Sequence, residues 1–203
     1  MAKVLSSCAT EDLVHMAKTC GLLPSNHFGC HPGRTTSDSL HYVTMFVKDM
    51  WRKKEVVSTL FLDIKGMFLS VVLSRLIHDM RSRGVPPQYT SGIVCEASSQ
   101  QSTLRFDEYK LEPLSRSKGI DQGFLLSSIA YQFYNAGLVD ICDVSSGEDT
   151  VAFMDDMLLL AWAKTIRESN SKVKQMMVRQ GGGLDWLAAH QSELHWKFLV
   201  SWG

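Results

Sequence analysis

TVAFMDDMLLLA, residues 150–161, sets two apolar runs on either side of Asp155 and Asp156. Two such runs with almost nothing between them read as paired strands and a tight turn that lifts the carboxylates to its tip. An exposed hairpin turn favours Asn-Gly or Asp-Gly, yet Met154-Asp155-Asp156-Met157 contains no glycine. A broken local rule inside a consistent pattern tends to mark function. Further out, EVVSTLFLDI (55–64) is another β-branched, apolar run, and it carries Asp63 at its end. Taken alone, Asp63 is more simply a turn residue or helix cap. Together, three aspartates at the edges of the most apolar segments are costly unless a cation compensates them. Carboxylates select hard ions such as magnesium or manganese. Two of these side by side can activate an attacking hydroxyl and stabilise a leaving phosphate, which is the chemistry of nucleotidyl transfer.

The remaining segments supply a scaffold. SDSLHYVTMFVKDMWRKKE (37–55) has Leu40, Val43, Phe46, Val47, Met50 and Trp51 at helical spacing, with Thr36, Ser37 or Asp38 available as N-cap. SVVLSRLIHDMRSRG (70–84) predicts a helix directly after the strand, with Val72, Leu73, Leu76, Ile77 and Met80 on one face, closing at Gly84. STLRFDEYKLEPL (102–114) reads as a hairpin, and FLLSSIAYQFYNAGLVDI (124–141) as a helix buried almost all round. TIRESNSKVKQMMVR (165–179) predicts a surface helix, broken at Gly181–Gly183, before a closing strand, LHWKFLVSW (194–202). No repeat and no long linker divides the chain, and the fold class is α+β.

The 203 residues hold 21 Lys plus Arg against 21 Asp plus Glu, so no global basic field draws in nucleic acid. Local basic clusters stand at Arg52-Lys53-Lys54, at Arg75, Arg81 and Arg83, and at Arg105, Lys110, Arg116 and Lys118, each also readable as a solvated face. No apolar stretch approaches the ~18 uninterrupted residues of a membrane span, and no membrane association is expected. The opening MAKVLSSCATEDLVHMAKTC is too weakly apolar for a secretory signal, so an intracellular location is expected. The five cysteines are scattered and form no CxxC pair. His27, Cys30 and His31 lie close together but lack a second ligand pair at zinc spacing.

FLDIKGMF (61–68), GIDQGFLLSSIAYQFYN (119–135) and AFMDD (152–156) resemble, in order and approximate spacing, the three central palm motifs of reverse transcriptases. HFGCHPGRTTSD (27–38) resembles the phrase that precedes the first of these in LINE-type (non-LTR) retrotransposons of fungi. With the tail ending in GGGLDWLAAH and Lys197-Phe198, the likeness covers nearly the whole chain. It implies a polymerase palm, an antiparallel sheet backed by helices, over residues 51–203, with part of the fingers in 1–50 and no thumb. Asp63 and Asp155 would bridge two magnesium (or manganese) ions, with Asp156 completing the site and the Ile64 carbonyl as a further ligand. The backbone of Gly66, Met67 and Phe68 would face the triphosphate of a dNTP, and the Phe68 ring would exclude a ribose 2′-hydroxyl. Gln122 and Gly123 would contact nucleotide and template, Met154 the primer end, and Arg34 remains as a basic candidate near the substrate. For Met154, plain hairpin packing serves equally. The partners implied are an RNA template and a DNA primer. Nuclear action is implied by element type, and the oligomeric state is left open.

The chain departs from the family pattern at Phe124-Leu125, where a small residue and a proline are usual, at Met67 in place of alanine, and at His31 in place of arginine. By this reading the chain starts after the basic part of the fingers and ends before a thumb. Three functions follow as expectations: an RNA-directed DNA polymerase, a catalytically silent remnant of one, and a magnesium-dependent phosphohydrolase that uses the same aspartates.

Overall fold

The computed structural model describes residues 2–29, 33–99, 101–102, 105–107, 109–110, 112, 114–115, 118–121 and 125–202. In chain order these form helices α1 (Ala2–Thr19) and α2 (Thr36–Arg52), strand β1 (Val56–Ile64), and helices α3 (Leu73–Ser82) and α4 (Pro87–Ser99). Four two-residue strands follow: β2 (Gln101–Ser102), β3 (Arg105–Phe106), β4 (Tyr109–Lys110) and β5 (Leu114–Ser115). Then come α5 (Leu125–Val139), a 3-10 turn at Val144–Ser146, β6 (Glu148–Phe153), β7 (Asp156–Ala163), α6 (Ile166–Val178), α7 (Gly183–His190) and β8 (Leu194–Trp202). The long strands build an antiparallel sheet in the order β6-β7-β1-β8.

Side chains alternate across a strand, and here both faces of the sheet are covered. Leu60, Leu62 and Ile64 of β1 join Met157, Leu159 and Ala161 of β7 in the larger core. α5 also lies in that core, where Tyr131, Phe133 and Tyr134 are fully buried, and α1, α3, α6 and α7 contribute to it. Val57, Val151, Leu158 and Leu160 enter a second core, which α2 closes with Val47 and Met50. The strands therefore read as unbroken apolar runs rather than as alternating ones. At about 25 cal/mol per Å² of buried apolar surface, the two cores supply the main force for folding.

The structure shifts several details. The N-cap of α2 is Thr35, one residue before the expected candidates. Its Oγ1 accepts from the Asp38 amide at 3.3 Å while Asp38 Oδ2 accepts from the Thr35 amide at 2.6 Å, a reciprocal capping box. Of the expected buried face of α2, Val43, Phe46, Val47 and Met50 pack inward, but Leu40 and Trp51 are exposed, at 64% and 45%. The sheet meets the helix along only part of its apolar stripe. α6, expected as a surface helix, buries Ser169, Val173, Met176 and Met177. The expected hairpin over 102–114 is a nested pair of short ladders, β3 with β4 inside β2 with β5. α1 and α4 had no counterpart in the sequence reading. Among the described residues, no helix is long and apolar enough to cross a membrane.

Candidate active site

β1 lies between β7 and β8 and ends where the β6–β7 hairpin turns. In that register Asp63 is the direct cross-strand partner of Asp156, so the two carboxylates leave the same face of the sheet. Phe153 pairs with Asp156, which leaves Met154 and Asp155 as a two-residue turn. Met154 takes a left-handed φ of +57°, a conformation that costs a residue with a Cβ about 1 kcal/mol or more. The three aspartates thus come from one strand end, one turn and one strand start, at one edge of the sheet.

Tyr131 of α5 rises beneath them. Its hydroxyl is buried and has no hydrogen-bond partner among the described residues. Burial, and then the negative charge of Asp155, nearby Tyr134 and the charge of Asp63, hold this phenol well above its ordinary value. The Phe68 ring leans on Tyr131 at 5.9 Å. Just ahead of Phe68 the chain turns at Gly66, whose φ is +68° and whose carbonyl accepts from the Ser70 amide at 2.8 Å. Among the described residues, none of the backbone N–H groups of Gly66, Met67 and Phe68 donates to a backbone carbonyl. A cleft of about 280 Å³ opens beside this turn, lined by Lys65, Gly66, Ser70, Lys118 and Glu193 among others. Lys65 Nζ sits 3.0 Å from Glu193 Oε2. A second, apolar groove of about 230 Å³ runs between α2 and the sheet, with Leu40, Phe61 and Phe153 on its walls and Asp156 in its lining.

The family described as reverse transcriptase (RNA-dependent DNA polymerase) matches residues 2–182. This chain belongs to that family. No protein of curated function matches the chain in sequence. Among solved structures it is similar to the telomerase of Candida tropicalis in complex with a TWJ fragment of telomeric RNA, with a TM-score of 0.71 at 10% identity, covering 96% of this chain and 33% of that one. The telomerase of Candida albicans with the same kind of RNA fragment gives 0.68 at 13% identity, over 100% of this chain and 36% of that one. At such identities the likeness is one of fold, and this chain spans about a third of the length of those telomerases.

For a reverse transcriptase palm, the structure brings most of the expected residues to one edge. Asp63, Asp155, Asp156, Met154, Ile64 and the Gly66–Phe68 turn stand together around the strand ends. Met67 and Phe68 are half-buried against the larger core. Arg34 is engaged elsewhere: its Nη1 donates to the carbonyls of Ser25 and of His27, the latter at 3.3 Å, and its guanidinium lies 5.0 Å from the centre of the Phe28 ring. Gln122, Gly123 and Phe124, like Cys30 and His31, lie outside the described residues. Reverse transcriptases generally use divalent metal ions, and three carboxylates on neighbouring backbone positions are a suitable hard-oxygen donor set. Among the described residues, however, no three His, Cys, Asp or Glu side chains are gathered closely enough to hold an ion as they stand. The sequence singles out neither Lys65 nor Tyr131, which stands there as one position of a buried helix, and it shows Lys118 only as part of a basic cluster.

Proposed function

We propose that this chain is the palm, with part of the fingers, of an RNA-directed DNA polymerase of the LINE type, the fingers portion being residues 1–50 and the palm 51–203. The observation that carries this reading is the cross-strand pairing of Asp63 with Asp156, with Asp155 in the adjoining turn. In the reaction a primer 3′-oxygen forms a bond to the α-phosphorus of a dNTP, the bond to the departing pyrophosphate breaks, and the hydroxyl proton is released. Magnesium or manganese bound by Asp63, Asp155 and Asp156, with the Ile64 carbonyl, would supply activation of the hydroxyl and neutralisation of the pyrophosphate.

The protein's own part is position and charge. The amides of Gly66, Met67 and Phe68 would receive the triphosphate, and Lys65 and Lys118 line the cleft beside them. Phe68, braced on Tyr131, would stand against a 2′-hydroxyl and so favour deoxynucleotides. Gln122 and Gly123 would take the template and the nucleotide base, and Met154 the primer end. The HFGCHPGRTTSD phrase supports the LINE-type assignment, with nuclear action as its corollary.

A second reading, a palm that folds but makes no DNA, is favoured by one observation: Arg34 is spent on the chain's own carbonyls. The test is extension of a primed homopolymer RNA by the purified chain with dTTP and magnesium or manganese, beside Asp155→Asn. Extension that the substitution lowers by about a thousandfold or more, the scale of losing a central charge, supports the polymerase. A folded chain that extends nothing establishes the silent palm.

A further inference from the structure

The segment ahead of α2 reaches the aspartate turn by a route that the palm motifs do not use. Phe28 donates its amide to the Ala152 carbonyl at 2.7 Å, Ala152 donates to the Asn26 carbonyl at 3.1 Å, and His27 bridges Ala152 in parallel sense. Residues 26–28 thus lie along β6 as a short extra strand. Asn26 fixes the far side, its Nδ2 donating to Asp149 Oδ1 at 3.0 Å. At the near side two fully buried side chains meet. His27 Nε2 lies 3.0 Å from Asn135 Oδ1, and Asn135 Nδ2 donates to the Met154 carbonyl at 2.7 Å.

The second bond fixes the orientation of the amide. An Asn135 that donates to a carbonyl must present its oxygen to His27, so His27 Nε2 carries the proton and donates. Gly29 closes the arrangement. A Cβ there would come within 2.8 Å of the Met154 amide nitrogen and 3.1 Å of its sulfur, so no side chain fits. Met154 is therefore gripped at its carbonyl by Asn135 and packed at its amide by Gly29. It is also the residue held in the left-handed conformation, and Asp155 follows it directly.

We propose that Asn135 and His27 are positioning residues, which hold the Met154 carbonyl and so set where the Asp155 carboxylate stands relative to Asp63 and Asp156. The proposal rests on the polymerase reading for its purpose, but the clamp acts on metal binding before any substrate arrives. Contacts from α5 and from the 26–29 segment thus converge on the one residue that precedes Asp155. Partners that orient a ligand are worth about ten- to a hundredfold in metal affinity or activity.

The experiment measures Mn²⁺ affinity calorimetrically for the full chain without nucleic acid, along with thermal midpoints and, separately, primer extension. Asn135→Asp keeps the shape but sets an oxygen against the Met154 carbonyl, and it is expected to weaken Mn²⁺ binding about tenfold or more. His27→Gln, which keeps an N–H donor, is expected to bind within about threefold of the parent, whereas His27→Leu is expected to bind like Asn135→Asp. Should Asn135→Asp not fold, the two His27 variants carry the comparison alone. Variants that melt earlier yet bind Mn²⁺ as the parent does would show plain packing and overturn the proposal, as would a parent that binds no Mn²⁺. If the parent binds Mn²⁺, loses that with Asn135→Asp and still extends no primer, the clamp stands and the polymerase reading falls.

Discussion

A single carboxylate at the mouth of β6 shows how local geometry sets a charge. Asp143 caps the 3-10 turn, accepting from the Ser145 hydroxyl at 2.6 Å, the Ser146 hydroxyl at 2.6 Å and the Ser145 amide at 3.0 Å. These bonds, led by that from the Ser145 side chain, lower its pKa to about 2. A carboxyl depressed on folding stabilises the native state above its unfolded value, about 3.9. That contribution is lost as the pH falls from there towards 2. Acid unfolding of Asp143→Asn, followed by circular dichroism, should therefore depend less on pH within that window than unfolding of the parent. Asp38 is lowered in the same sense, chiefly by its Thr35 side-chain bond. The sequence offered Thr36, Ser37 or Asp38 as the N-cap, whereas the cap is Thr35 with Asp38 as its partner three residues on, because only the backbone path decides which residue stands at the cap. Asp63, Asp155 and Asp156 were legible because charge in an apolar run is conspicuous. Asn135 and His27 were not, since a buried amide and imidazole declare nothing until their partners are known.

At the scale of elements, helical spacing placed α2 and α3, apolar runs placed α5 and the long strands, and glycines marked the ends of α3 and α6. The glycine run before α7 has a sharper meaning than a break. Gly181 takes a φ of +72°, while at Gly182 a Cβ would lie 2.5 Å from the Met176 carbonyl oxygen and 2.8 Å from that of Arg179. The close approach is to backbone and cannot be relieved by a rotamer. Gly182→Ala is expected to cost about 1–3 kcal/mol, the scale of overpacking, measured by urea denaturation. Gly183→Ala meets side chains alone, the flexible Met177 with Sδ at 2.5 Å and Leu138 at an ordinary 3.6 Å, and is expected to cost less. α1 and α4 escaped the sequence reading because their apolar residues are diluted by serine, threonine and cysteine. Their helical state is settled by what they pack against, and α1 lends Leu13 and Ala17 to the larger core.

Across the whole molecule, a buried histidine ties the last helix to the middle of the chain, beside the pairing of β8 with β1. His190, at the end of α7, places Nδ1 2.7 Å from the Trp186 carbonyl and Nε2 2.8 Å from Asp79 Oδ2 on α3. Arg75 Nε holds the other Asp79 oxygen at 3.1 Å, and the Tyr134 hydroxyl of α5 donates to the His190 carbonyl at 2.9 Å. The Trp186 ring stacks on the imidazole at 4.0 Å. This knot sets where α7 ends and hence where β8 enters beside β1. A double-mutant cycle on His190→Ala and Asp79→Ala should show coupling of about 1–3 kcal/mol, read from denaturation midpoints and slopes. Independent effects would mean that α7 is held by apolar packing alone. By itself the sequence determined the class of fold, the long strands and most of the helices, and it set Asp63, Asp155 and Asp156 at the edges of apolar runs, because hydrophobic pattern and charge placement are properties of neighbouring residues. Only the tertiary structure decided that Asp63 faces Asp156, that α2 covers one face of the sheet, that Arg34 braces its own chain and that Asn135 grips Met154. These join residues from 7 positions apart, as in the Arg34–His27 bond, to 107, as in the bond from Tyr42 of α2 to Asp149 of β6, and no local pattern encodes such a pairing.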